Sequence, residues 1–282
     1  MNQITLGAAQ FALSDDMGRN MEEIRSLCGR AAAEGVRVIL FPECAVTGYP
    51  GGDMDDLGGV EPDRVGQALG ELAGLAREGG LFLAVGAAVP SDGLRGWTNT
   101  LVVLSDRGER VCAYSKTALT HSDQRHFDRG ESLPTFDVDG VRFGCQICFD
   151  VRFPEGYRGL FSRGAHVVLH AYHQAGSDHW RQRRNIMTAF QRTRAAENGL
   201  YCAAANTIGH SGGRDQWIPT MLVDPLGEIV TALEPSETGL AVSRVDVDDL
   251  REMIEIDIRA ESARRLDLDA PPARPRPADT MR

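Results

Sequence analysis

Basic excess is missing from this sequence: 30 Lys and Arg stand against 40 Asp and Glu, a net charge of −10. That balance excludes general nucleic-acid binding or adsorption to an anionic membrane, which need cations to meet phosphates. No stretch approaches the roughly 18 consecutive apolar residues of a membrane-spanning helix. Met1-Asn2-Gln3-Ile4-Thr5-Leu6 has neither the basic segment nor the apolar run of a secretory signal, which points to a cytoplasmic protein. Zinc-ligand spacing is lacking too. Cys28, Cys44, Cys112, Cys145, Cys148 and Cys202 form no CxxC…CxxC set, and in a reducing compartment they read as free thiols. Small-molecule chemistry is what these absences leave.

What is present is an α/β grammar. With 282 residues, 42% of them hydrophobic, the chain can bury one large core. Apolar runs at Ile4–Ala9, Val36–Phe41 and Leu81–Val89 alternate with helical patterns from about Asn20 to Glu34 and from Asp63 to Glu78. Thr98–Leu104 and Glu109–Tyr114 flank a turn, Ser105-Asp106-Arg107-Gly108, and a long loop runs from Lys116 to Pro134. The grammar then repeats: strand Val141–Cys148, helix Glu155–Arg163, strand Val167–His170, helix His179–Asn198, strand Leu200–Ala205, and strands at Met221–Val223, Glu228–Leu233 and Leu240–Val245. This predicts two sheets covered by helices in a single domain over residues 1–269. A proline-rich tail over 270–282 extends from it.

Three residues stand out by place. Glu43 follows the apolar run Val38-Ile39-Leu40-Phe41 and Pro42; Lys116 ends the strand Arg110–Tyr114; Cys148 ends Val141–Ile147 and precedes a sharp turn into a helix. Strand ends are where α/β proteins build sites. Each has an ordinary alternative: a solvated turn carboxylate, a surface lysine, a small core thiol. An acid, a cation and a thiol, each at the end of its own strand, shift the reading towards chemistry. Cys145, inside the same strand as Cys148, is assigned none.

The segments Phe41-Pro42-Glu43-Cys44-Ala45-Val46-Thr47-Gly48-Tyr49, Tyr114-Ser115-Lys116-Thr117 and Gly144-Cys145-Gln146-Ile147-Cys148-Phe149-Asp150-Val151-Arg152-Phe153-Pro154-Glu155 resemble, in order and spacing, the three signatures of the nitrilase superfamily. Arg194-Ala195-Ala196-Glu197-Asn198, Ala205-Asn206 and Asp224-Pro225-Leu226-Gly227 extend the likeness from about Thr5 to Asp246. The resemblance implies a four-layer αββα sandwich that dimerises to αββα-αββα. It also implies a catalytic triad carried here by Glu43, Lys116 and Cys148, with no metal or organic cofactor. Many members carry a second glutamate in the loop after the lysine. Asp123 stands there with a shorter reach, either as support for Lys116 or substrate or as an exposed loop carboxylate.

A free cysteine has a pKa of about 8.5, so a base must take its proton at neutral pH. Glu43 suits that role, and Lys116 with the backbone N–H of Phe149 suits the oxyanion. The expected substrate is a small amide or N-carbamoyl compound, cleaved through a thioester. The alternatives are a nitrile cleaved through a thioimidate, or a non-catalytic assembly partner. Tyr49, Tyr172, His173 and Trp180 are candidate pocket walls. Arg152 and Glu155 form either a substrate contact or a structural ion pair, and Arg194, Glu197 and Asn198 are expected to brace the turn. His166, His170, His173 and His179 are dense enough to suggest a metal hydrolase, but they form no HExxH set. Pairing one of them with Cys148 in a Cys-His protease would leave Glu43 and Lys116 without a role.

Overall fold

The protein is described by a computed structural model covering residues 3–176, 181–211, 214–216 and 218–247. Trp180 and the tail from residue 270 lie outside the described residues. The first half runs β1 (Gln3–Gln10), α1 (Met17–Ala33), β2 (Val38–Leu40), α2 (Pro62–Gly79), β3 (Phe82–Pro90), β4 (Trp97–Leu104) and β5 (Arg110–Ser115). The second runs α3 (Asp123–His126), β6 (Thr135–Val138), β7 (Val141–Ile147), a 3₁₀ turn (Cys148–Arg152), α4 (Pro154–Ser162), β8 (Val167–Ala171), β9 (Ala175–Gly176) and α5 (Arg181–Asn198). It ends with β10 (Tyr201–Ala205), β11 (His210–Ser211), β12 (Arg214–Gln216), β13 (Thr220–Val223), β14 (Ile229–Leu233) and β15 (Gly239–Asp246).

Local chemistry sets the helices. Asp16 accepts hydrogen bonds from the N–H groups of Gly18 (2.8 Å) and Arg19 (3.4 Å), so α1 begins at Met17, three residues before the apolar pattern announces it. Met17, Met21, Ile24, Leu27, Cys28 and Ala31 then form its buried stripe. α2 starts on Pro62 and stops at Gly80, whose φ of 63° is a left-handed cap. Both helices pack on the first sheet through Ile39, Leu83 and Val85.

Two six-stranded sheets have orders β15-β1-β2-β3-β4-β5 and β14-β13-β10-β8-β7-β6. In each, three parallel strands sit at the centre, β1-β2-β3 and β10-β8-β7, with antiparallel strands outside. The sheets face each other: Leu6, Leu40, Leu101 and Tyr114 share a buried cluster with Phe143, Ile147, Leu169 and Met221. With α1 and α2 on one outer face and α4 and α5 on the other, the layers are αββα. The short strands β6, β9, β11 and β12 went unpredicted, because two to four residues are too few to display a period. No helix among the described residues is long and apolar enough to cross a membrane.

The parallel strand ends converge at one rim. β2 is only three residues long, after which residues 41–46 climb over β3, with Val46 N–H donating to Gly86 C=O. A Cβ at Gly86 would stand 2.3 Å from the Pro42 carbonyl oxygen and 2.8 Å from Glu43 Cα, so only glycine admits this crossing. Gly86→Ala is expected to lower stability by about 3 kcal/mol, the upper range for overpacking a dense interior. A urea midpoint unchanged from wild type would show that the crossing tolerates a side chain.

Candidate active site

Glu43 is fully buried and joins the two sheets. Its N–H donates to Tyr172 C=O at 3.2 Å, and its Oε2 accepts the N–H of His173 at 2.8 Å, both partners leaving β8 of the opposite sheet. Oε1 accepts Asn99 Nδ2 at 2.6 Å and Lys116 Nζ at 2.7 Å. Asn99 lies on β4 and was not anticipated. Its neighbours Thr98 and Thr100 are polar too, so nothing local in the sequence marks it, yet it is wholly buried.

Lys116 is buried to 1% exposure at the end of β5. Its N–H donates to Asn99 C=O, and its carbonyl accepts Gly130 N–H, so the loop of residues 117–130 departs from and returns to this residue. Within that loop, α3 places Asp123 Oδ2 3.0 Å from Lys116 Nζ. Asp123 is buried, which removes the exposed-loop alternative for it; Thr120 N–H and Oγ1 and the Tyr49 hydroxyl all donate to its carboxylate. Burial opposes charge on Lys116, but Glu43, Cys148 and Asp123 together hold its pKa well above the usual lysine value. Burial likewise opposes charge on Asp123, and Lys116 with the Tyr49 and Thr120 hydrogen bonds outweighs it, so that carboxyl titrates below its ordinary range.

Cys148 begins the 3₁₀ turn with φ 44°, a left-handed conformation that a non-glycine residue adopts only where its surroundings enforce it. The enforcement is visible. Asp150 Oδ2 accepts the N–H of Ile147 (2.9 Å) and the Tyr114 hydroxyl (2.7 Å), while Oδ1 accepts Ala118 N–H at 2.8 Å. One carboxylate thus ties the turn to the segment following Lys116. Burial first, then the charge and hydrogen bonding of Glu43, push the Cys148 thiol well above its ordinary pKa, with Lys116 pulling the other way. At rest the Cys148 side chain is therefore a thiol, which a neighbouring base would have to deprotonate for it to act as a nucleophile. Sγ donates to Gln174 Oε1 at 3.7 Å, which puts Gln174 beside this sulfur. Nothing in the sequence singles Gln174 out, because only the path of the connection between β8 and β9 brings it there.

The other expected residues divide. His173 and Tyr49 stack at 4.7 Å beside Glu43 and Asp123, and His173 Nε2 donates to Asp53, also unanticipated, at 3.0 Å. Tyr172 is not a pocket wall: its ring stacks on His170 at 4.2 Å and its hydroxyl donates to Gln191 of α5, so it supports the turn from behind. Arg152 forms no ion pair with Glu155. Its guanidinium lies over Phe149 (5.6 Å) and Phe190 (5.7 Å), so the pairing gives way to cation–π contacts. Arg194 Nε donates to Val151 C=O at 3.0 Å and its guanidinium pairs with Glu197, while Asn198 donates to Arg194 C=O: this group braces the turn. Among the described residues no group of three or more potential ligands could hold a metal ion.

Residues 5–255 match the carbon-nitrogen hydrolase family. Omega-amidase NIT2 of Mus musculus is 27% identical over 271 residues, 90% of this chain and 92% of that protein. Among solved structures, a cysteine-to-alanine mutant of the amidase from Nesterenkonia sp. AN1, in complex with butyramide, superposes with TM-score 0.78 at 27% identity, covering 93% of this chain and 97% of that one. A glutamate-to-glutamine mutant of that amidase, with the acetamide moiety of fluoroacetamide covalently added at the active site cysteine, has TM-score 0.78 at 25% identity, covering 92% and 96%.

Removing one carboxylate from a buried ammonium leaves charge uncompensated. Asp123→Asn is therefore expected to destabilise the protein by about 3 kcal/mol at pH 7. Because the folded-state pKa of Asp123 lies below 3.8, its contribution is complete above that value and is lost as pH falls through the lowered one. The gap between wild type and variant should thus close only in strong acid. Urea titrations at pH 7 and in acid stronger than the lowered Asp123 pKa read both, and a gap that is constant across them would deny the ion pair this role.

Proposed function

Since the chain belongs to the carbon-nitrogen hydrolase family, we propose that it hydrolyses small amides or N-carbamoyl compounds with Cys148 as nucleophile, Glu43 as acid and base, and Lys116 as electrostatic partner. The observation that carries this reading is the convergence, from three strands of two sheets, of a buried carboxylate and ammonium 2.7 Å apart beside a thiol held on a left-handed turn. The amide ligands of the Nesterenkonia amidase and the name of the mouse relative support amides ahead of nitriles.

In the reaction, Glu43 accepts the thiol proton as Sγ bonds to the substrate carbonyl carbon, whose oxygen becomes negative. Lys116 Nζ and the Phe149 N–H stabilise that oxygen, each donor contributing about 3 kcal/mol. Collapse breaks the C–N bond, and the proton held by Glu43 leaves on ammonia or an amine. A water molecule, deprotonated by Glu43, then attacks the thioester; the carboxylic acid departs and Sγ–H is restored. Asn99 and the His173 N–H hold the Glu43 carboxylate in place through both steps. Asp123 orients Lys116 from its other side. With a carbamoyl substrate the same sequence passes through a thiocarbamate.

The six described cysteines are all free thiols, in keeping with a reducing, cytoplasmic setting. A second copy of this chain is the expected partner. Phe153 and Ile186, 44% and 47% exposed at α4 and α5, give the outer helical face apolar surface to bury.

Cys148→Ala should reduce amide turnover by at least about 10⁴-fold. Wild-type protein quenched during turnover should carry an adduct on Cys148 whose mass identifies the acyl group, and Glu43→Gln, which lacks the base for attack, should form it far more slowly. Intact-protein mass spectrometry over a panel of amides, N-carbamoyl compounds and nitriles checks both. Adducts from nitriles alone would reassign the chemistry to a thioimidate, and no adduct from any compound would count against catalysis. Sedimentation at several concentrations should show a dimer, and a monomer throughout would exclude the second copy.

A further inference from the structure

His170 is the fourth of the five residues of β8, paired in register with Gln146 on β7 and Ala204 on β10, and it has no exposed surface. An apolar side chain would fill this place at lower desolvation cost. Both of its ring nitrogens are engaged. Nε2 lies 3.2 Å from the carbonyl oxygen of Cys148, and Nδ1 is hydrogen-bonded to the hydroxyl of Tyr157 on α4. Tyr172 stacks on the ring at an interplanar angle of 5°.

Burial, which outweighs the hydrogen bond to Cys148, holds the His170 pKa near 3, so the ring is neutral and carries a single N–H. A carbonyl oxygen can only accept; the proton is therefore on Nε2, and Tyr157 donates to Nδ1. Donors thus run in one direction, from the Tyr157 hydroxyl to the imidazole and on to the Cys148 carbonyl.

The peptide joining Cys148 to Phe149 is trans and planar, so its C=O and N–H point opposite ways. We propose that His170 is a positioning residue for the oxyanion site: by holding the Cys148 carbonyl it sets the plane of this peptide and aims the Phe149 N–H at the substrate oxygen. The inference rests on the oxyanion role proposed above for that N–H. A donor on the carbonyl also polarises the peptide and makes its N–H a stronger donor. It further opposes relaxation of the left-handed Cys148, a conformation that persists only when its surroundings over-determine it.

The test compares His170→Leu, which removes the donor, with His170→Gln, whose side-chain amide can place an N–H where Nε2–H lies. Two probes of Cys148 separate the roles. Butyraldehyde forms a hemithioacetal: Sγ bonds to the carbonyl carbon, the thiol proton passes to the oxygen, and that oxygen occupies the oxyanion site. Iodoacetamide alkylates Sγ with loss of iodide, the thiol proton leaving to Glu43, and develops no oxyanion. His170→Leu should weaken butyraldehyde binding and lower kcat by about 10- to 100-fold. Its alkylation rate and KM should stay within about threefold of wild type. His170→Gln should recover most of both losses.

Butyraldehyde affinity in His170→Leu equal to wild type would overturn the proposal, as would parallel losses of aldehyde binding and alkylation in both variants, which would indicate packing alone. Wild-type protein that is alkylated yet forms no hemithioacetal would instead remove the oxyanion reading itself, and the positioning role with it.

Discussion

An ammonium group without access to water has to find its counter-charges inside the protein, and Lys116 imposes that demand on everything around it. Glu43 and Asp123 satisfy it from two sides, at 2.7 and 3.0 Å. Each carboxylate then has further oxygen lone pairs to satisfy, which brings in Asn99, the His173 N–H, Thr120 and Tyr49. Breaking a buried ion pair on one side costs several kcal/mol, so these contacts stand or fall together. The loop of residues 117–130 has a defined shape because it must deliver Asp123 to the same nitrogen that β5 delivers.

That arrangement governs the sulfur as well. A thiolate next to Glu43 in a dry site would face a like charge, which is why burial and Glu43 raise the Cys148 pKa while Lys116 lowers it. In the proposed mechanism this couples proton loss to carbon–sulfur bond formation: negative charge would leave the sulfur for the substrate oxygen, where the ammonium would meet it. The thiol is protonated at rest, and its ionisation would be favoured only along the proposed reaction path.

Glu43, Lys116 and Cys148 were legible because each ends an apolar strand, and strand ends at one rim converge. The layered fold was legible for a related reason: long apolar runs alternate with helical stripes. Asp123 could be placed by the family resemblance, but its burial could not, since that depends on α3 folding back within the loop. Asn99, Asp53 and Gln174 carry no local signal; they matter because β4, the loop after β2 and the segment leaving β8, distant from one another in sequence, put them beside the site. Tyr172 was placed in the pocket because it leaves a strand at the right rim. Side chains there alternate between faces, and its own points towards α5. Arg152 and Glu155 suggested an ion pair because both stand in the family-like turn, yet the flat guanidinium has two aromatic faces nearby and lies against those.

β15 follows a strand of the second sheet but pairs with β1 of the first, from Gln3↔Asp246 to Gln10↔Gly239. β1 leaves a ribosome long before β15 does, and therefore waits for it before its outer edge is covered. Until then an eight-residue row of backbone donors and acceptors stands open on an apolar strand, a template for any passing β-segment. Contacts so distant in sequence form late. The exposure of the nascent chain to aggregation is accordingly set by the time taken to synthesise and dock residues 239–246, rather than by the thermodynamic strength of the finished sheet.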